Sequence, residues 1–126
     1  MKALNIVASA YRATLEEQDD TIVWLTHAMR GAGAAVDLLL RGNAVNYAVR
    51  GQDASGLAFG RWKQTEPPRI EHDLASLIAK GATVHVLSDD LERRGLEGVA
   101  LVEGVKPIRK RALAGLLCGY DRVWHW

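Results

Sequence analysis

Cys118 is the only thiol in the chain, which rules out an internal disulfide and any multi-cysteine zinc site. A thiolate at this position would be a nucleophile. Its neighbours Leu116 and Leu117 equally suit a small, buried, apolar side chain. The buried, apolar role is the expected one, with a reactive thiol as the alternative. A second group of reactive types, Ser9, Tyr11, Arg41, Asn43, Ser88, Asp89 and Asp90, follows directly on apolar runs. In a parallel sheet such positions collect beyond the strand C-termini, where small ligands bind. Ser9, Tyr11, Asn43, Ser88 and Asp89 therefore form the candidate ligand-binding set. In an alternative role, Ser88 with Asp89 or Asp90 would cap the helix that follows.

Other chemistries lack the required spacing. Asp89 and Asp90 are adjacent, with no third carboxylate nearby to complete a metal or acid/base site. His27, His72, His85 and His125 show no HxxxH or HExxH pattern, so no metal centre is expected. No GxSxG elbow, GxGxxG fingerprint or phosphate loop occurs, and no cofactor is expected. Lys106, Arg109, Lys110 and Arg111 crowd the expected start of the last helix, where positive charge opposes the macrodipole. Arg109 and Arg111 are thus candidate partner contacts, the alternative being a solvated face. Trp62, in a Gly-rich stretch, is a third candidate contact. Core or subunit packing is the expected role of all four tryptophans, Trp24, Trp62, Trp124 and Trp126.

The elements that must position these residues alternate between strand and helix. Apolar runs at Ala3–Ala8, Ala35–Leu40 and Thr83–Leu87 read as buried strands. A helix with an aspartate cap runs from Asp19 or Asp20 to Arg30, although Thr14 to Glu17 also reads as a capping box that would start it earlier. A short helix is expected near Ala44–Val49, within a poorly patterned stretch from 43 to 66. Pro67-Pro68 opens a further helix with Ile70, Leu74, Leu77 and Ile78 as its stripe. A helical turn at Asp90–Arg94, a brief strand at Gly104–Val105, a helix over Ile108–Cys118 and a final strand over Asp121–Trp126 complete the chain. Ile108, Ala112, Leu113, Leu116 and Leu117 would be the buried side of that last helix. This order predicts one α/β domain over residues 1–126, a three-layer α/β/α arrangement on a mostly parallel sheet of about five strands.

The bulk composition fits such a domain. The 126 residues are 48% hydrophobic and 25% charged, with 16 basic and 15 acidic side chains for a net charge of +1. That balance gives no support for a nucleic-acid surface. No apolar run reaches a membrane span, and the N-terminus lacks a signal-peptide pattern. A cytoplasmic, non-membrane protein is the expectation.

Several motifs, taken in order, resemble the DsrE/DsrF-like sulfur-relay family. They are Leu4-Asn5-Ile6-Val7, Arg41-Gly42-Asn43-Ala44-Val45, the Leu77–Leu87 unit, Arg93-Arg94-Gly95-Leu96 and Gly119 to Trp124. The resemblance implies a small homo-oligomer, a trimer or hexamer, or a hetero-oligomer with a sulfur-relay partner protein. Active members carry a persulfide on a strand-end cysteine eight residues before the glycine. Counting back from Gly95 gives Leu87, so the usual carrier is missing. The expected role is then a partner, scaffold or small-ligand-binding member. The alternatives are transfer through Cys118 or a partner's cysteine, and a small-molecule enzyme lined by Tyr11, Asn43 and Ser88.

Overall fold

The computed structural model describes residues 1–11, 19–53 and 55–126. The first strand, β1 (Lys2–Val7), leads to helix α1 (Thr21–Gly31) and strand β2 (Ala35–Leu40). A 3₁₀ turn (Gly42–Ala48), a hairpin of β3 (Ala58–Phe59) and β4 (Trp62–Lys63), and helix α2 (Ile70–Ala79) follow. Next come β5 (Val84–Leu87), α3 (Ser88–Arg93), β6 (Lys106–Ile108), α4 (Leu113–Cys118) and β7 (Arg122–His125).

Five strands form one parallel sheet in the order β6-β5-β2-β1-β7. The chain steps outward from β1 to β6, then crosses back through α4 to lay β7 beside β1. Right-handed crossovers in opposite directions place α1 and α2 on one face and α4 on the other. The three-layer expectation holds. Central β2 is buried at all five positions from Val36 to Leu40, as a strand covered on both faces should be. The outer strands are short, and β6 carries Pro107 at its middle position.

The two faces are covered unequally. On the α1/α2 side, Val7, Leu38, Leu40, Val84 and Val86 pack against Ile22, Val23, Ile70, Leu74, Leu77 and the buried turn residues Val45 and Tyr47. On the other side a smaller buried cluster of Leu4, Ile6 and Leu39 packs against Ile108, Leu113, Leu117 and Tyr120. Asp20 starts α1, its Oδ1 accepting from the N–H groups of Ile22 (2.8 Å) and Val23 (3.0 Å). The alternative capping box at Thr14–Glu17 lies outside the described residues.

Asp37 interrupts the apolar run of β2 and is 2% exposed. Its carboxylate accepts from Thr83 N–H (2.8 Å), Tyr120 O–H (2.8 Å) and the Arg30 guanidinium (3.1 Å), with Lys2 Nζ at 3.5 Å. Burial alone would raise its pKa, but these donors outweigh burial and hold it below the ordinary carboxylate range.

Three expectations need correction. The last helix does not begin at Ile108: that residue ends β6, a 3₁₀ turn covers Lys110–Ala112, and α4 starts only at Leu113. The cationic cluster therefore precedes the helix instead of opposing its dipole. The brief strand falls at Lys106–Ile108, two residues later than Gly104–Val105. None of the five residues assigned to the buried side of that helix is fully buried, and Ala112 is exposed, because α4 has nothing beyond it.

Replacing Asp37 with alanine strands a half-buried Arg30 and unpairs Thr83 N–H and Tyr120 O–H. The expected loss is about 3 kcal/mol in urea unfolding at pH 7. Because the folded pKa is depressed, this stabilisation is present above the unfolded value near ~4 and fades as pH falls through the lower folded value. The wild-type advantage over Asp37→Ala should narrow below that point.

Candidate functional site

The carboxyl ends of the strands bring together most of the residues singled out for that edge, but largely as fasteners. Asn43 N–H donates to Ala8 O (3.1 Å), tying the β1 and β2 exits together. Gly42 sits at φ +55°, and a Cβ there would lie 2.8 Å from Ala8 O, so only glycine allows the approach. Its N–H donates to Asp90 Oδ2 at 2.7 Å. Arg94 clasps Asn43 Oδ1 through Nη2 (2.9 Å) and Nε (3.3 Å).

The same occurs between β5 and β6. Ser88 Oγ donates to Ile108 O (3.1 Å), and Asp89 Oδ1 accepts from Lys110 N–H (2.7 Å). The Lys110 N–H lowers the Asp89 pKa, with Arg109 and Arg93 adding to it. Arg109 pairs with Glu92 at 2.6 Å, and Arg111 is exposed in the 3₁₀ turn. The capping expectation is overturned: α3 has no side-chain cap, because Ser88, Asp89 and Asp90 each reach across to another strand exit. Leu87, at the position where the resemblance would put a carrier thiol, is 2% exposed.

Tyr11 departs from this group. It adopts φ +59°, and its ring meets Tyr47 edge-on at 5.2 Å and 88°. The Tyr11 N–H donates to the Tyr47 hydroxyl, which donates to Asp20 Oδ2 at 2.7 Å. Burial, then the bond to Asp20, pushes the Tyr47 pKa well up. Tyr11 thus lines a separate cleft of about 200 Å³ with Tyr47, Gln52 and Ile70. Ser9 is half-buried in the same β1 exit. Cys118 ends α4 at the opposite sheet edge and is exposed, so the buried-core role expected for it does not hold. His85 is half-buried, and burial lowers its pKa.

A larger groove of about 420 Å³ lies between α1 and α2, lined by Asp19, Trp24, His27, Pro67, Arg69 and Asp73 among others. Sequence reasoning missed it, since Asp19 precedes α1 while Asp73 lies in α2, and neither stands in a motif. Trp24 is 66% exposed here instead of packed in the core. His27 Nε2 lies 2.9 Å from Asp73 O, and its Nδ1 lies 3.2 Å from Lys80 Nζ. Asp19 Oδ1 accepts from Arg69 N–H at 2.9 Å. Asp53 caps α2 from the preceding loop, receiving the N–H groups of Glu71 (3.1 Å) and His72 (3.3 Å). Burial, then the hydrogen bond and charge of Asp19, pushes Asp73 up to about 8. Asp73 is thus held in its protonated form at neutral pH.

Among the described residues, no three His, Cys, Asp or Glu side chains converge as metal ligands would, and no helix is long and apolar enough to cross a membrane. No protein-family model matches the chain, and no curated protein matches it. Solved structures do. The chain is similar to the ychN protein from E. coli, with 23% identity, 100% of both chains covered and a TM-score of 0.71. It is similar to MTH1491 from Methanobacterium thermoautotrophicum, a protein of unknown function, at 14% identity over 99% of this chain and 98% of that one, TM-score 0.63. BT1422 from Bacteroides thetaiotaomicron, a conserved protein of unknown function, gives 11%, 99%, 95% and 0.66 for the same measures. At these identities the likeness is one of fold alone.

The raised Asp73 pKa gives a pH signature. Asp73 holds its proton to about 8 when folded but releases it near ~4 when unfolded. Its contribution is therefore favourable below the unfolded value and is lost as pH rises through that window. Asp73→Asn should raise thermal stability progressively from pH 5 to pH 8.5, by about 1–2 kcal/mol at the upper end after allowance for solvent screening. Melting curves across that range check it.

Proposed function

We propose that this protein is a homo-oligomeric, non-catalytic subunit that works by assembly and partner binding, within a sulfur-related or other pathway. The observation that carries this reading is α4. From Ala112 to Gly119 the chain reads Ala-Leu-Ala-Gly-Leu-Leu-Cys-Gly, without one polar side chain. Yet Ala114, Gly115 and Cys118 are exposed, and Leu113, Leu116 and Leu117 are only half-buried. A helix that is apolar all round is stable when covered on every side. An all-parallel sheet likewise has both faces covered, and this one has a single six-residue helix over its second face.

The surface area supports the same reading. The accessible surface is 7288 Å², about a tenth above the roughly 6,600 Å² of a folded monomer of 13.8 kDa. Small residues on α4 let a second copy approach closely. Sulfur transfer is disfavoured because Leu87 fills the strand-end position, while Cys118 lies at the other edge on the apolar helix. A covered Cys118 would be a contact residue. The polar strand-end groups, bonded to one another, serve as a rigid frame for that assembly.

Light scattering of the native protein at micromolar concentration should give a multiple of the 13.8 kDa chain mass. Leu116→Glu should reduce that mass while leaving the melting temperature of the folded chain nearly unchanged. Alkylation of Cys118 should be slow in the assembly and accelerate on dilution. A native protein that runs as a monomer, or a Leu116→Glu variant of full mass, would refute the reading.

A further inference from the structure

The cleft beside Tyr11 is complete within one chain. Val49, Pro68 and Ile70 form its apolar lining, with the rings of Tyr11 and Tyr47 beside them. Among the described residues, Tyr11 is the one non-glycine residue with a left-handed backbone, at φ +59°. A bulky side chain adopts that conformation only where its surroundings hold it there. The Tyr47 hydroxyl does so by accepting from the Tyr11 N–H, and the edge-on ring contact at 5.2 Å sets the angle. Tyr11 thereby becomes a wall of the cleft while staying 52% exposed. The volume of about 200 Å³ falls below the roughly 300–1,000 Å³ of sites for drug-sized molecules, so it suits a single ring or a short chain.

The polar groups on this lining are unevenly used. The Tyr47 O–H is committed to Asp20 at 2.7 Å. The Gln52 amide nitrogen donates to Asn46 O and to Val49 O (3.0 Å), leaving its Oε1 at 3.5 Å from the Tyr11 hydroxyl. Both Asp53 oxygens are occupied by the first turn of α2, one with Glu71 N–H and one with His72 N–H. Half-buried Glu71 uses only Oε2, which accepts from Gly51 N–H at 2.6 Å. Its Oε1 meets no protein donor among the described residues. Two acceptors thus remain, and one of them belongs to a carboxylate. No lysine, arginine or histidine is among the lining residues. Arg69 belongs to the α1–α2 groove, and Arg50 lines a neighbouring hollow that adds Glu103 to Asp53 and Glu71. A hydrogen-bond donor carrying positive charge matches what is left, aromatic faces attract the same charge, and an anion is repelled.

We infer that this cleft binds a small organic ammonium ion, its apolar body against Val49, Pro68 and Ile70 and its charged head toward Glu71 Oε1, Gln52 Oε1 and the Tyr11 ring. The site goes beyond the assembly role and does not depend on it. The test is an NMR titration of the full chain that reads backbone amide shifts. Benzylammonium and n-butylammonium are the probes, with benzyl alcohol and benzoate as the neutral and anionic counterparts. At least one ammonium should bind saturably and shift the amides of Tyr11, Gly51 and Gln52, while benzoate does not. Glu71→Gln keeps an oxygen for Gly51 N–H but removes the charge. It should weaken ammonium binding at least about tenfold, with benzyl alcohol treating both forms alike. Tyr11→Ala, at an exposed position, should weaken every ligand that binds.

Absence of saturable binding by both ammonium probes overturns the inference. So does benzoate binding of equal strength, or a Glu71→Gln or Tyr11→Ala variant that binds ammonium as the parent does. Shifts centred on Trp24 would put the probe in the α1–α2 groove and overturn it too. Leu116→Glu should bind the probe unchanged, and a loss there would refute a site complete within one chain. The mass of the native particle bears on α4 alone, so the two readings fail separately.

Discussion

The sheet depends on a buried charge at its amino-terminal edge. The Asp37 carboxylate is held by Arg30 from α1, Thr83 ahead of β5, Tyr120 ahead of β7 and Lys2 from β1. An isolated carboxylate in this place would cost several kcal/mol, and each donor is needed to offset that cost. The bond geometry thus makes the placement of β1, β2, β5, β7 and α1 mutually conditional. At the opposite edge the fasteners are individually lighter: Gly42 with Asp90, Asn43 with Ala8 and Arg94, Lys110 with Asp89. The core between them is apolar and non-directional, so it supplies cohesion while the two edges supply alignment.

Periodicity made much of this legible. Apolar runs located β1, β2 and β5 within a residue or so, and the Asp20 cap and Pro67-Pro68 located α1 and α2. The alternation of types was enough to give parallel topology. Periodicity failed where the pattern carries no face. Leu113 to Cys118 is apolar on every side, so its composition could not reveal that only half of it meets the sheet, and Cys118 was free to read as core. The short segments from 43 to 66 depend on single turns and long-range bonds such as Tyr47 to Asp20, which leave no period.

The strand-end residues illustrate a different limit. Ser88, Asp89 and Asp90 lie where a small ligand could be held, and position alone suggested ligation or capping. Their partners, Ile108 O, Lys110 N–H and Gly42 N–H, come from chain stretches between 20 and 48 positions away and are backbone groups. Backbone donors and acceptors look alike in every sequence, so such pairings are invisible before folding. Asp37 was a fairer signal: one acid within Ala-Val-Asp-Leu-Leu-Leu has to be compensated somewhere. The fold shared with ychN, MTH1491 and BT1422 says nothing by itself about chemistry.

Pro107 sits at the middle of β6, the strand at one margin of the sheet, and β7 at the other margin is four residues long. Proline withholds a main-chain donor where another chain would otherwise add a strand, and a short margin offers little template. Main-chain pairing with another chain is therefore interrupted at the β6 edge, and at the β7 edge it meets only four residues to pair with.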